Sequence, residues 1–553
     1  MQGHDRPSAA RSAAPLDALI VGAGFAGLYA LCKLRGLGLT ARVLEAGRGV
    51  GGVWFWNRYP GARCDVESMQ YSYSFDDGLQ QEWTWTERFA PQGEILGYLN
   101  HVADRFDLRR DIQFETRVTA MHYDEAASLW TARTDRGEQV SARFCIMATG
   151  SLSAARVPDL PGLDTFAGDC HHTGDWPHAP VDFAGRRVGI IGTGSSGIQA
   201  IPLIAQQASH LYVFQRTPNF IVPARNKVLD EATERFWKDN YPEHRRKARE
   251  VGTFYEFSDK GALEVSEAER EREYERRWHE GGVNFVHSFN DIYLNGAAND
   301  TAAEFVRARI RGIVRDPRVA EALSPRDHPL GTKRICVGSD YYETFNRDNV
   351  TLVPLREEPI EAITPAGVRT ARAEYALDTL VLATGYDALT GALLRMDIRG
   401  RGGQALAQKW SGGPRNLLGL MTAGFPNLFI VTGPGSPSVL VNMVIGIEQH
   451  VDWIADCIGF LHAKGMDTIE AKPAAEDAWV EHVNAEAGQT LFPRANSWYL
   501  GANIPGKPRV FMPYVGGIGR YRRKCDEVAA RGYEGFILSD SAGAQRLAPG
   551  YVP

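Results

Sequence analysis

The order of apolar and polar positions twice predicts a strand, a glycine turn and a helix in immediate succession. The first apolar run, Leu16–Val21, is followed by GAGFAG and then by Leu28, Leu31 and Leu34 at helical spacing. The second run, RVGII at 187–191, is followed by GTGSSG and by the helical pattern IQAIPLIAQQ. Apolar strands that alternate with helices are typical of a parallel sheet. The sequence therefore predicts an α/β fold with two such units.

Each glycine turn has the spacing G-x-G-x-x-G, which after a strand and before a helix indicates a dinucleotide-binding site. In the first turn, Gly22 makes the bend, Gly24 lets the backbone approach a pyrophosphate, and Gly27 lets the helix pack on the strand. The phosphates are expected at the helix N-terminus, where free N–H groups favour anions. Glu45 ends the next strand, where a carboxylate accepts hydrogen bonds from ribose hydroxyls.

The second turn has the same glycine spacing at Gly192, Gly194 and Gly197, but its acid is missing. The following strand ends in Arg216 and Thr217. A carboxylate would repel a ribose 2′-phosphate, whereas arginine pairs with it through two hydrogen bonds. The contrast predicts FAD at the first site and NADPH at the second.

A loop rich in glycine, aromatic residues and arginine follows the first site. Its Val53, Trp54, Phe55 and Trp56 are suited to wall a flat cofactor ring. Asp65 ends this loop. On its own, Asp65 is better explained as a turn aspartate than as a catalytic residue.

The rest of the chain completes an α/β fold of two Rossmann-like dinucleotide-binding domains (FAD and NADPH) with a helical insertion. Apolar strands that end in ATG return the chain from one unit to the other. The charge run at 267–277 predicts a solvent-facing helix with i,i+4 ion pairs. The expected division is a disordered tail at 1–15, an FAD-binding domain at 16–150 and 386–553, an NADPH-binding domain at 151–222 and 331–385, and the insertion at 223–330.

Composition and charge narrow the class of protein. The formal net charge of −6 disfavours nucleic acid or an anionic membrane as the main partner. The seven cysteines are scattered without pairs or metal-ligand spacing, which favours a reducing compartment and no metal site. Neither a signal-peptide pattern nor an apolar run of membrane-spanning length is present in the sequence. We therefore expect a cytoplasmic protein.

The segment FAGDCHHTGDWP, at residues 166–177, lies between the two glycine turns. Its turn composition alone is equally consistent with a polar surface loop. Phe166, Gly168, His172, Trp176 and Pro177 fit F-x-G-x-x-x-H-x-x-x-W-P, and with this fingerprint the chain resembles the Baeyer–Villiger monooxygenases. The resemblance includes GGVWFWNRYPGARCD, TKR, YYETFNRDNV, GPGSPS and W-Y-x-G-x-N-x-x-G-K, and is nearest to the phenylacetone and cyclohexanone monooxygenase branch.

The resemblance implies that NADPH reduces FAD, that O2 forms a C4a-peroxyflavin, and that a ketone is converted to an ester or lactone, with sulfoxidation of thioethers as a second activity. Arg334 should stabilise the peroxyflavin and the oxyanion of the adduct, because a permanently charged donor stabilises developing negative charge. Asp65 should pair with Arg334. His172 should serve domain movement and not proton transfer, as a hinge contact.

The resemblance also assigns residues to the two cofactors. The FAD set is Gly22, Gly24, Ala26, Gly27, Glu45, Val53, Trp54, Phe55, Trp56, Asp65, Tyr71, Val118 and Met443. The NADPH set is Arg63, Cys64, Gly192, Thr193, Gly194, Ser195, Ser196, Gly197, Arg216, Thr217, Lys333, Arg334 and Trp498. Ala26 departs from the family pattern, in which close relatives often have serine.

Two alternatives stay open. A flavin-dependent N- or S-hydroxylating monooxygenase would use the same scaffold, although its fingerprint typically lacks the W-P ending. A non-catalytic flavoprotein would not need Arg334, Asp65 and Trp498 together. The expected partners are a small ketone and O2, in a monomer or weak homo-oligomer, and cyclic, aryl and linear ketones all remain possible substrates.

Overall fold

The structure is a computed structural model that describes residues 14–540. The tail expected at 1–15 lies outside the described residues, except for residues 14 and 15, which are neither helix nor strand. Strands and helices mix throughout the described part, so the predicted α/β class is confirmed.

The strands are β1 (Leu16–Val21), β2 (Ala41–Leu44), β3 (Ile112–Gln113), β4 (Val118–Asp124), β5 (Leu129–Thr134), β6 (Gln139–Met147), β7 (Asp169–His172), β8 (Arg187–Ile191), β9 (His210–Gln215), β10 (Ile221–Pro223), β11 (Cys336–Gly338), β12 (Val350–Pro354), β13 (Ile360–Thr364), β14 (Gly367–Thr370), β15 (Glu374–Ala376), β16 (Thr379–Leu382), β17 (Asp397–Arg399), β18 (Leu428–Ile430), β19 (Thr468–Ala471) and β20 (Phe536–Ser539).

The helices are α1 (Phe25–Gly36), α2 (Val53–Trp56), α3 (Asp77–Glu82), α4 (Gln92–Arg105), α5 (Ser195–Ala205), α6 (Glu231–Val251), α7 (Glu267–Glu280), α8 (Gly296–Ile313), α9 (Pro317–Ala322), α10 (Tyr341–Thr344), α11 (Gly391–Leu394), α12 (Leu406–Lys409), α13 (Met443–Lys464), α14 (Pro473–Gly488) and α15 (Ile518–Ala530).

The first sheet has the strand order β17-β4-β5-β6-β1-β2-β3, and β18 also pairs with β6. Strand β1 lies between β6 and β2 and is parallel to both. Its Ala18, Leu19 and Ile20 are completely buried, as expected for a parallel strand covered on both faces. Because β17 and β18 come from residues 397–430, this sheet joins segments from both halves of the chain.

The second sheet has the order β12-β9-β8-β16-β7, with every neighbouring pair parallel. Strand β7, which carries His172, is an edge strand whose register places His172 opposite Leu382 of β16. The strands of this sheet come from residues 169–215 and 350–382. The exact domain boundaries stay predictions.

Two connections between the sheets run side by side, and we call residues 151–156 and 384–389 the crossing. Ala155 and Tyr386 form an antiparallel bridge. The backbone N–H of Arg156 donates to Gly385 O at 2.9 Å, and that of Asp387 donates to Ala154 O at 2.8 Å. The crossing is therefore a short hydrogen-bonded ribbon.

Helices α6 to α9 occupy the region of the expected insertion. Side chains cap their N-termini: Asp230 accepts from Thr233 N at 2.7 Å, and Ser266 accepts from Glu269 N at 3.3 Å. The charge run on α7 forms the expected i,i+4 pairs, but Arg277 is a departure. Its side chain is only 3% exposed and donates to Glu273 at 2.7 Å, because this face of α7 packs against the protein.

Candidate active site

A cavity of about 750 Å³ extends from the first glycine turn to the second. Its wall includes residues from both turns, from the aromatic loop, from the crossing and from the C-terminal part of the chain. Of the predicted site residues, it is lined by Gly24, Ala26, Val53, Trp54, Arg63, Cys64, Asp65, Tyr71, Gly192, Thr193, Gly194, Ser195, Ser196, Arg216, Thr217, Lys333, Arg334, Met443 and Trp498.

The first glycine turn leaves no room for side chains. Gly22 has φ +105°, and a Cβ there would lie 2.6 Å from Ala148 O. A Cβ on Gly27 would lie 1.8 Å from Gly22 O. No side chain caps the N-terminus of α1, and Gly24, Phe25 and Ala26 line the cavity. The free N–H groups at this helix end suit the pyrophosphate of a dinucleotide.

The second glycine turn repeats this geometry on the second sheet. Gly192 has φ +110°, and its Cβ would lie 2.3 Å from Ala383 O, just as the first turn packs on Ala148. A Cβ on Gly197 would lie 2.3 Å from Gly192 O. The N-terminus of α5 also has no side-chain cap. The cavity therefore has a place for a pyrophosphate at each end.

Glu45 lies behind the first turn and not in the cavity wall. Its carboxylate accepts from Ala23 N and Gly47 N, each at 2.6 Å. Burial raises the pKa of Glu45, and these two backbone donors oppose the rise. The carboxylate therefore fixes the backbone around the turn, and its predicted contact with a ribose stays a prediction.

The aromatic loop folds as α2 and divides its side chains between two places. Val53 and Trp54 line the cavity, where Trp54 Nε1 donates to the hydroxyl of Tyr71 at 3.2 Å. The ring of Phe55 instead packs against His178 at 4.8 Å, and Trp56 O accepts from Trp176 N at 3.3 Å. Phe55 and the Trp56 carbonyl thus contact residues at and just beyond the end of the fingerprint segment.

Val118 also lies away from the cavity. It begins β4 and is 5% exposed, within an apolar cluster that includes Leu44 and Cys145. Its side chain packs in the core of the first sheet, and its assignment to FAD stays a prediction.

Arg334 and Asp65 are far apart in sequence and meet in the cavity wall. Arg334 Nε donates to Asp65 Oδ2 at 2.6 Å, and Nη2 donates to Oδ1 at 2.7 Å. Nη1 donates to Val439 O at 3.0 Å. Burial alone would lower the pKa of Arg334, but the Asp65 carboxylate raises it well above its usual value. The guanidinium is therefore a permanent cation in a fixed orientation.

None of the five fingerprint residues lines the cavity, and one of them, His172, lies at the crossing. The ring Nδ1 of His172 accepts from Gly174 N at 2.9 Å, so Nε2 carries the proton that points to Arg156 O at 3.1 Å. Burial lowers the pKa of His172, which favours this neutral form. Trp176 is buried, and Gly168 is required because a Cβ there would lie 2.4 Å from Asp378 O.

Sequence reasoning missed several residues of this site. The carbonyl of Val439 fixes Arg334, and a main-chain acceptor has no sequence signature. Tyr499 is buried beside Arg334, and burial raises its pKa to about 12. Arg156 lines the cavity with the predicted cations. In principle, the position of Tyr499 next to Trp498 could have drawn attention to it.

Comparisons with known proteins match this architecture along most of the chain. A family model described as pyridine nucleotide-disulphide oxidoreductase matches residues 19–234. A Baeyer–Villiger monooxygenase from Pseudooceanicola batsensis is 44% identical over 535 residues, which cover 96% of this chain and 97% of that protein. The chain belongs to the Baeyer–Villiger monooxygenases. The predicted family is thus confirmed.

Solved structures of this Baeyer–Villiger group agree in fold. An oxidized steroid monooxygenase bound to NADP is 56% identical, with a TM-score of 0.91, and the match covers 95% of this chain and 100% of that one. The OTEMO complex with FAD and NADP is 41% identical, with a TM-score of 0.92, over 95% of this chain and 99% of that one. The prediction of two Rossmann-like units is confirmed.

A relative of a different printed activity also aligns. Phenazine N-monooxygenase PhzNO1 from Lysobacter antibioticus is 44% identical over 529 residues, 94% of this chain and 97% of that protein. In the structure described above, all seven cysteines of the chain are free thiols. Within residues 14–540, no helix is both long and apolar enough to cross a membrane.

Proposed function

We propose that the protein is an FAD- and NADPH-dependent Baeyer–Villiger monooxygenase that converts a ketone and O2 to an ester or lactone. The observation that carries this proposal is the Arg334–Asp65 pair inside a cavity shared by two dinucleotide-type glycine turns. A redox carrier would need the turns but not a cation held in this way between them.

The donor set of each half of the cavity fits one cofactor. Gly24, Phe25 and Ala26 offer backbone N–H groups at one end, with the Trp54 and Tyr71 rings alongside to hold FAD. Ser195 and Ser196 begin α5 at the other end, and Arg216 and Lys333 add positive charge for NADPH. When bound and reduced, the flavin supplies the activation of O2. The protein positions the two cofactors and supplies the positive charges that face them.

Arg334 has the geometry to act on a carbonyl substrate. Asp65 and Val439 O occupy three of its five N–H groups and leave donors on Nη1 and Nη2. A substrate oxygen that gains negative charge beside these donors is stabilised without reorientation of the side chain. Asp65 keeps the guanidinium plane fixed, so we infer a positioning role for Asp65.

The test is product analysis with the FAD-loaded protein, NADPH, ¹⁸O2 and a panel of cyclic, aryl and linear ketones. We expect esters or lactones that contain one ¹⁸O atom. The same panel includes tertiary and aromatic amines, because the phenazine N-monooxygenase relative supports N-oxygenation as a second candidate. Formation of N-oxides with no ester from any ketone would replace the proposed function by that one. Sulfoxidation of a thioether is compatible with both.

We also propose that the protein is cytoplasmic and acts as a monomer or weak homo-oligomer. The seven free cysteines support a reducing compartment. Cell fractionation and size-exclusion chromatography with light scattering test the two statements. A tight oligomer at micromolar concentration would contradict the second.

A further inference from the structure

The charges that line the cavity are strongly unbalanced. Among the described residues, the cavity wall contains one acidic residue, Asp65. It contains five basic residues: Arg63, Arg156, Arg216, Lys333 and Arg334. Arg334 pairs with Asp65, and Arg63 pairs with Glu87 at 3.0 Å. Arg216 and Lys333 are expected at the 2′-phosphate. Arg156 belongs to neither of the two predicted cofactor-binding sets.

The backbone of Arg156 is fixed within the crossing. Its N–H donates to Gly385 O at 2.9 Å. Its carbonyl accepts from Thr384 Oγ1 at 2.6 Å and from His172 Nε2 at 3.1 Å. The side chain therefore leaves the crossing from a defined point, and Arg156 is one of the residues that line the cavity.

The guanidinium of Arg156 is held in place by the segment that carries Trp498. Its Nη1 donates to the carbonyl of Asn503, and Asn503 Nδ2 donates to Tyr386 O at 2.8 Å. This contact uses one of the five N–H donors of the guanidinium, and four remain for a ligand. Arg156 thus lies between the crossing and a loop that also lines the cavity.

The charge of Arg156 is poorly compensated. Burial lowers its pKa, and the positive charge of Arg216 lowers it further, while Asp387 opposes both. Asp387 is itself engaged by Lys507 Nζ at 2.5 Å. Two guanidinium groups that share one cavity repel each other unless an anion lies between them.

We propose that Arg156 is a phosphate-binding residue of the nicotinamide nucleotide site, acting together with Arg216 and Lys333. The inference rests on the proposed function, in which NADPH enters this half of the cavity. A phosphate gives the unused donors of Arg156 charge-assisted hydrogen bonds and removes the repulsion with Arg216. Because the same guanidinium donates to Asn503 O, bound phosphate also stabilises the loop that carries Trp498.

A purely structural role for Arg156 can be separated by a matched control. Arg395 donates from Nη2 to the carbonyl of Ala155 at 2.6 Å, so it contacts the same crossing one residue earlier. Arg395 is exposed and lies outside the cavity wall. Arg395→Gln therefore removes a charge and a crossing contact without removing a charge from the cavity.

The experiment measures the Kd of NADP⁺ for the oxidised, FAD-loaded protein by equilibrium dialysis at several salt concentrations. We expect Arg156→Gln to raise this Kd by about tenfold or more and to weaken its dependence on salt, since a charged hydrogen bond is lost. Arg395→Gln should change it less than about twofold. If Arg156→Gln leaves the Kd unchanged, or if both variants change it equally, the proposal is wrong.

A second ligand identifies the phosphate, and a second variant separates this inference from the proposed function. A larger loss for NADP⁺ than for NAD⁺ places Arg156 at the 2′-phosphate, and an equal loss places it at the pyrophosphate. Arg216→Ala should weaken NADP⁺ far more than NAD⁺. If Arg216→Ala is selective while Arg156→Gln has no effect, only the inference fails; if Arg216→Ala affects both nucleotides equally, the NADPH assignment itself fails. If Arg156→Gln does not fold, Arg156→Met, which also removes the charge, takes its place with the same expected results.

Discussion

At the scale of single residues, Arg334 shows how a charge is kept both permanent and oriented inside a protein. Its guanidinium makes two parallel hydrogen bonds to Asp65 and one to the carbonyl of Val439. Loss of either partner would let the cation turn while keeping its charge. Orientation, and not charge alone, is therefore what this site adds to an arginine.

Arg334→Ala should leave reduction of the flavin by NADPH measurable but lower ester formation by at least about a hundredfold, because the donors for the substrate oxyanion are lost. Arg334→Lys keeps a cation but cannot make two parallel hydrogen bonds to Asp65, so we expect it to remain severely impaired. Stopped-flow reduction and product analysis measure the two steps separately. A normal lactone yield from Arg334→Ala would remove Arg334 from the reaction.

A second residue-scale prediction concerns His450, which is 1% exposed. Its Nδ1 accepts from Thr432 N at 2.9 Å, and Tyr521 donates to Leu418 O at 2.5 Å, so His450 Nε2–H is left to donate to Tyr521 at 2.8 Å. Burial lowers the pKa of His450 to about 3. The neutral ring thus stabilises the fold fully above the ordinary histidine pKa of about 6.5.

As the pH falls from about 6.5 toward 3, His450 becomes protonated in the unfolded chain but stays neutral in the folded chain. The free energy of unfolding therefore falls by up to about 1.4 kcal/mol per pH unit. His450→Asn should make this loss less steep. Unfolding midpoints between pH 7.5 and 4.5 test it. His279→Asn is the control, since that side chain is 73% exposed, and an unchanged slope in His450→Asn would contradict the assignment.

At the scale of elements, the two glycine turns have the same geometry. Gly22 packs on the carbonyl of Ala148, and Gly192 packs on the carbonyl of Ala383. Each turn has a positive φ and a distance of 2.6 Å or less from the missing Cβ to that carbonyl. A side chain would therefore displace the helix N-terminus and the N–H groups that face the cavity.

Gly192→Ala should weaken NADP⁺ binding by at least about tenfold while FAD stays bound, because only the second turn is displaced. Gly22→Ala should have the reverse effect and yield protein depleted of FAD. Gly312→Ala in α8 is the control, since a Cβ there meets nothing within 4 Å and Gly312 lies outside the cavity wall. Flavin content by absorbance and NADP⁺ binding by dialysis give the result. Loss of both ligands in both glycine variants would mean that the two turns do not act separately.

Local patterns predicted these elements well because glycine spacing and apolar periodicity depend on neighbours in sequence. The two turns and the α/β class needed only such patterns. The direction of a side chain needs the tertiary fold. Phe55 was expected beside the flavin with Trp54, and its ring packs against His178 outside the cavity wall, so its contact with the flavin stays a prediction.

The burial and the partners of several arginines could not be predicted from local sequence, because they depend on residues that are distant in the chain. The Arg277 charge was expected in solvent, but it is buried where α7 meets its neighbours. Arg156 was not singled out, since its role depends on Asn503 and Arg216, which come together only in the fold. The Arg334–Asp65 pair was anticipated only through family resemblance, because no local pattern links two residues so distant in sequence.

At the scale of the molecule, both connections between the sheets pass through the crossing, and His172 contacts both of them, at Arg156 O and at Thr384 Oγ1. His172 donates from Nε2 to Arg156 O and accepts at Nδ1 from Gly174 N. It thus joins the edge strand of the second sheet to the ribbon that leads to the first. We therefore predict that His172 affects how the two halves of the cavity approach each other.

His172→Ala should slow flavin reduction and ester formation by a similar factor, about tenfold, since both steps depend on the same domain placement. The pH profile of each step should keep its shape, because burial lowers the pKa of His172 and keeps the ring neutral. His171→Ala is the control from the same strand. A change confined to one step, or a shift in the pH profile, would instead indicate proton transfer by His172.

The late synthesis of strand β18 delays the completion of the first sheet during translation. It pairs directly with β6, yet about 280 residues separate them, so at roughly 5–20 residues per second the ribosome needs roughly 15–60 s to deliver it. During that interval residues 145–147 of β6 lack the partner that β18 later provides, while the strands of the second sheet are already complete by residue 382. Nascent chains stalled near residue 425, where β16 has left the ribosome but β18 is not yet made, should resist proteolysis in the later-made half and remain sensitive in the earlier-made one. The half that is translated first is therefore expected to mature last.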